Sequence, residues 1–165
     1  MTTVAFQYAA DVGDWSAMQG IAEVPMASAS ASRRAQMFAM SAMYQRAFAA
    51  AVLGDTATTS KAAARFRATV DPVGPNVPAS SAIRAREIEA MIATKRGDLE
   101  RAIQLLREAS AIEDKFLFVG PPTTLVAHEL LGDALVAAKR PAGAEVAYEQ
   151  ELKLTPKGRF VGSRR

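Results

Sequence analysis

The chain has no cysteine, one histidine and only 7 % aromatic residues. Without cysteine there is no disulfide framework and no thiolate for catalysis or metal binding, a composition compatible with a reducing compartment. A single imidazole, His128, leaves transition metals short of the three or four ligands they need; Glu129 and Asp133 beside it read as polar residues on a helix face, and no metal or cofactor is expected. Long apolar runs are also missing. The longest, Ala47 to Leu53, is far too short to cross a bilayer, and the start MTTVAFQYAADVGDW lacks the basic and apolar regions of a signal peptide. The expectation is a soluble, cytoplasmic protein. Neither a G-x-S-x-G elbow nor a G-x-G-x-x-G fingerprint occurs, and Gly120-Pro121-Pro122 cannot cradle phosphate because its prolines lack N–H donors. The acidic pairs Glu87/Glu89 and Glu149/Glu151 are two apart and point to different sides of a helix. The reading is therefore not an enzyme.

Half of the residues are hydrophobic, carried largely by alanine, a strong helix former and a small core filler, which suits close-packed helices. No stretch alternates with period two long enough to argue a strand. The net charge of +3 belongs to the end of the chain. Lys157, Arg159, Arg164 and Arg165 fall among the last nine residues with no acid, whereas residues 1 to 156 carry 16 basic and 17 acidic groups. The division is a helical domain over 1–156 and a basic tail over 157–165, KGRFVGSRR. The tail has the composition of a weak RNA-binding or anionic-membrane segment, equally that of a solvated terminus, and with a near-neutral body nucleic acid is not an expected partner.

Gly-Asp recurs at Gly13-Asp14, Gly54-Asp55 and Gly97-Asp98, and Lys139-Arg140-Pro141 takes the corresponding place further on. Glycine can adopt the left-handed conformation just past a helix end, and aspartate can accept from the free N–H groups that open the next helix. Counted to Arg140, the intervals are 41, 43 and 43 residues. Between these turns lie PMASASAS at 25–32, DPVGPNVPASS at 71–81 and EDKFLFVGPPTT at 113–124, whose prolines forbid helix and whose serines and threonines are candidate N-caps. The pattern predicts seven or eight helices, at 2–12, 14–23, 33–53, 56–70, 80–96, 98–112, 124–139 and 141–154. Met37, Met40, Tyr44 and Phe48 form one stripe of the third, which is apolar nearly all round and should be covered on more than one side.

From Ala127 to Pro156 the chain resembles the tetratricopeptide repeat (TPR) family, W-x₂-L-G-x₂-Y, A-x₃-F, P: His128 stands at the Trp place, Leu131 and Gly132 follow, Leu135 replaces the Tyr, and Ala144, Tyr148 and Pro156 occupy the later positions. Gly132 and Ala144 are the small residues that let two helices approach. The segment from Met91 to Pro156 looks like the C-terminal part of longer bacterial TPR-containing proteins. The resemblance implies an all-α, right-handed solenoid of about four antiparallel hairpins that binds protein or peptide without catalysis. In such arrays the first helices of successive hairpins line a concave face. Counting from the turns gives Tyr44 and Phe48, then Arg84, Glu87 and Met91, then Glu129 and Asp133, a groove apolar at one end and charged at the other. It suits a peptide with hydrophobic anchors and a basic group. The alternatives are self-association as a homodimer through uncovered terminal hairpins, where Val4, Ala5, Phe6 and Tyr8 begin the first and Val146, Tyr148 and Leu152 lie in the last, and an accessory hydrolase or transferase domain without a motif.

Overall fold

A computed structural model describes residues 6, 8–9, 12–18, 33–70, 79–115 and 127–154. The described residues are all-α. Six α-helices follow one another: α1 (Arg33–Val52), α2 (Thr56–Val70), α3 (Ala79–Lys95), α4 (Leu99–Glu113), α5 (Ala127–Ala137) and α6 (Pro141–Leu154). Ahead of them Phe6, Tyr8, Ala9 and Val12 are helical, and Ser16–Met18 form one 3₁₀ turn. No helix among the described residues is long and apolar enough to cross a membrane. The connectors over 19–32, 71–78 and 116–126, the tail over 157–165 and the side chain of Met37 lie outside the described residues.

The three Gly-Asp turns follow from the sequence in detail. Gly13, Gly54 and Gly97 have φ of 75°, 80° and 80°, and the fourth turn places Lys139 at φ 58°, one residue earlier than an alignment on Arg140 expects. In three of the turns the left-handed residue donates to the carbonyl three back, Gly54 to Ala51 (3.1 Å), Gly97 to Thr94 (3.0 Å) and Lys139 to Val136 (2.9 Å). The following residue donates five back, Asp55 to Ala50 (2.9 Å), Asp98 to Ala93 (2.9 Å) and Arg140 to Leu135 (2.8 Å). These are Schellman closures, which satisfy carbonyls that a helix end otherwise leaves free. The aspartates then open the next helix: Asp55 Oδ1 accepts from Thr58 N (2.9 Å) and Asp98 Oδ1 from Arg101 N (3.1 Å). Asp14 Oδ1 accepts from both Ser16 N (3.0 Å) and Ser16 Oγ (2.6 Å). These bonds hold the carboxyls of Asp14 and Asp55 below their usual range. Before α6, Pro141 takes the first helical position, where its missing N–H costs nothing. Ser80 and Ser81, expected as caps, instead lie inside the first turn of α3, because that helix begins at Ala79.

Each α-helix packs on the next, and the first helices of successive hairpins also meet, α1 with α3 and α3 with α5. Small residues make this closeness affordable in space. Gly132 lies directly under the Tyr148 ring, and Ala144 and Ala147 of α6 are buried toward α5. Two apolar clusters result. One gathers Phe6, Trp15, Tyr44, Phe48, Phe66 and Ile88; the other gathers Ile103, Leu105, Leu106, Leu131 and Leu135. Phe6 is buried, with ring centroids 5.4 Å from Trp15 and 5.6 Å from Phe48, so it does not contribute to an exposed terminal face. Val4 and Ala5 lie outside the described residues, while Tyr8 is exposed. On the surface Arg67–Glu89 (3.3 Å) and Arg86–Glu108 (3.1 Å) tie α2 to α3 and α3 to α4, pairs worth about 0–1 kcal/mol each at such exposure.

Candidate functional site

Aligned on their left-handed turn residues, the hairpins present equivalent positions. Phe48, Met91 and Asp133 each stand six residues before the turn, and Tyr44, Glu87 and Glu129 ten before it. The structure separates these two sets. The first borders a cleft of about 500 Å³ bounded by Val12, Gly13 and Trp15, by Phe48 and Val52 of α1, by Ala90, Met91, Thr94 and Lys95 of α3, by Leu106 of α4, and by Leu130, Asp133 and Ala134 of α5. This volume lies within the range of ligand pockets. Its walls are apolar, with Trp15 stacked obliquely 5.3 Å from Phe48, and its mouth is polar, with Thr94, Lys95 and Asp133 exposed. Lys95 Nζ donates to Val52 O (3.4 Å), and Asp133 Oδ1 accepts from the Tyr148 hydroxyl (2.8 Å). Each bond orients a charged group while leaving it capacity for a further partner.

Two of the second set, Tyr44 and Glu87, lie deeper. Both are fully buried, and Phe48, although it borders the cleft, is 2 % exposed, so none of these three displays a free side chain on an open groove. Arg84, half-buried, places its guanidinium 5.3 Å from the centre of the Tyr44 ring and donates through Nη1 to Ser41 Oγ (3.0 Å). Burial pushes the Tyr44 phenol well above its ordinary range. The neighbouring carboxylate of Glu87 pushes the same way, Glu113 adds to it, and Arg84 opposes them. Glu113 sits at the C-terminal end of α4, where the helix dipole disfavours an anion; its Oε2 accepts from Ala127 N (3.2 Å) at the start of α5, where an anion is favoured. Beside it His128 Nε2 donates to Asp114 Oδ1 (2.9 Å). Tyr44, Arg84, Glu87 and Glu113 thus form an interior polar knot that joins α1, α3, α4 and α5.

Of the seven residues expected in the groove, Phe48, Met91 and Asp133 meet at the cleft, Tyr44, Arg84 and Glu87 meet in the knot, and Glu129 is half-buried on α5 outside both. Sequence reasoning missed Trp15, Val52, Lys95 and Leu130. A register signal was present for two of them, since Val52 and Lys95 each stand two residues before a Gly-Asp turn. For Trp15 and Leu130 only packing of helices distant in sequence supplies the neighbours. Among the described residues no group of three or more His, Asp or Glu could hold a metal ion. Comparison of the chain with models of protein families, with curated proteins and with solved structures found no match in any of the three.

Proposed function

We propose that the chain is a non-catalytic, peptide-binding module built as a TPR-like array of antiparallel hairpins. The observation that carries this reading is the cleft where the first helices of successive hairpins meet, apolar within and bearing opposite charges at its mouth. Such a site takes a short segment with one or two large apolar side chains as anchors and a neighbouring cation for Asp133. The repeated turns support the array, because left-handed residues at 13, 54, 97 and 139 return the chain at nearly constant intervals. The test is selection from a random peptide library on the immobilised chain, followed by calorimetry. Selected peptides should combine an aromatic or aliphatic anchor with Arg or Lys, bind more than tenfold weaker to Met91→Glu or Leu130→Glu, and lose their preference for the cation with Asp133→Lys. Peptides indifferent to all three substitutions, or no selection at all, would refute the reading.

A second reading, self-association through the last hairpin, draws on Val136, Val146 and Leu152, which are 56 %, 58 % and 66 % exposed. Covering such side chains is worth about 1.5–3 kcal/mol each before the entropy of association is subtracted. Sedimentation equilibrium across a hundredfold concentration range discriminates, since a constant mass of 17.5 kDa rejects it.

A further inference from the structure

The cleft and the basic end of the chain are chemically complementary. Residues 157–165, KGRFVGSRR, place Phe160 and Val161 between Lys157 and Arg159 on one side and Arg164 and Arg165 on the other, with no acid among them. An apolar anchor beside a cation is what a cleft walled by Trp15, Met91 and Leu130 and edged by Asp133 would select. The segment is also attached nearby. Tyr148 of α6 touches Gly132 and donates to the cleft-lining Asp133, and from Tyr148 the helix runs only about 9 Å further to its end at Leu154. Six extended residues from Leu154 to Phe160 can span about 20 Å, enough to return over that distance. Lys95 on the α3 side of the mouth repels cations, so a cation entering the cleft is favoured on the Asp133 side.

We propose that residues 157–165 of the same molecule occupy the cleft, with Phe160 as the anchor and Arg159 paired to Asp133, as a built-in competitor for the peptide ligand. This rests on the peptide-binding reading above. A ligand tethered by so short a linker acts at an effective concentration on the order of 1 mM. A tail with an intrinsic dissociation constant of about 100 μM would therefore weaken an added peptide about tenfold.

The only tryptophan of the chain, Trp15, lies in the cleft wall and reports directly on occupancy. The full chain and its Phe160→Asp variant are compared by Trp15 emission and by titration with a labelled synthetic peptide of residues 155–165. Expected are red-shifted emission in the variant, reversed by the added peptide, and about tenfold tighter binding of that peptide to the variant than to the unaltered chain. Identical emission together with equal or absent binding in the two proteins would overturn tail docking. So would a mass that doubles with concentration only while Phe160 is present, because the tail would then serve a second copy. Peptides selected from the library separate the two readings: if they bind both proteins equally, self-docking fails and peptide binding stands, whereas if none binds either protein, peptide binding fails as well.

Discussion

Replacing Gly132 by alanine tests the close approach of α5 and α6. A Cβ built on Gly132 would lie 2.5 Å from Cζ and 2.7 Å from Cδ1 of Tyr148, with Cε1 closer still, whereas ordinary contacts begin near 3.4 Å. The ring must therefore retreat by about 1 Å, straining its hydrogen bond to Asp133 and loosening α6 on α5, and overpacking of this kind costs about 1–3 kcal/mol. Against it stands the helix propensity of alanine, about 1 kcal/mol better than glycine inside a helix. The two opposing effects separate in a double-mutant cycle read by urea unfolding with far-ultraviolet circular dichroism. In the parent chain Gly132→Ala should lower stability by up to about 2 kcal/mol. In a Tyr148→Ala background, where the ring atoms nearest the new methyl are gone, the same substitution should raise it by about 1 kcal/mol. The coupling between the positions is then about 1–3 kcal/mol. An identical effect of Gly132→Ala in both backgrounds would refute the claim that α5 and α6 are spaced by this glycine.

At the hairpin turns, Gly97→Val should cost on the order of 1–2 kcal/mol from backbone strain alone, since no atom lies within 4 Å of the added Cβ, and an unchanged urea midpoint would reject the turn geometry. The converse substitution, Lys139→Gly, should gain up to about 1 kcal/mol by relieving a non-glycine residue at φ 58°; a loss would show that the Lys139 side chain matters more than its backbone. The raised phenol of Tyr44 makes the fold alkali-sensitive: its contribution is complete below the unfolded value near 10 and is lost as pH rises toward the folded value, so Tyr44→Phe should flatten the alkaline fall in stability, and an equal slope in both proteins would count against burial of that phenol. Asp55 has the opposite sign, contributing above the unfolded carboxylate value near 4 and losing that contribution as pH falls through its depressed folded value; the gap between the parent chain and Asp55→Ala should close in acid, and a gap independent of pH would dismiss the cap.

Local chemistry was legible in the residues themselves. Glycine before aspartate dictates a left-handed closure followed by a side-chain cap, and this short-range signal located the turns at 13, 54 and 97; with the proline-rich connectors it bounded the six described α-helices to within a few residues, whereas of the helix expected over 14–23 the described residues show only the 3₁₀ turn Ser16–Met18. Lys139 shows the limit of that legibility, because nothing local marks a lysine for φ 58° until α5 and α6 must be joined at the distance that Gly132 and Tyr148 impose. The same limit governs the candidate site. Counting from the turns placed Phe48, Met91 and Asp133 on equivalent positions, but whether a position faces a cleft or the interior depends on what lies across from it. Tyr44 and Glu87, one helical turn further from the turns, are both buried, Tyr44 because Phe6 packs over one side of it and Arg84 lies against its ring. Helix periodicity determines which residues share a face. Only the meeting of α1, α3 and α5 with the Trp15 turn decided which part of that face stays open, because side chains more than thirty residues apart in sequence close the rest.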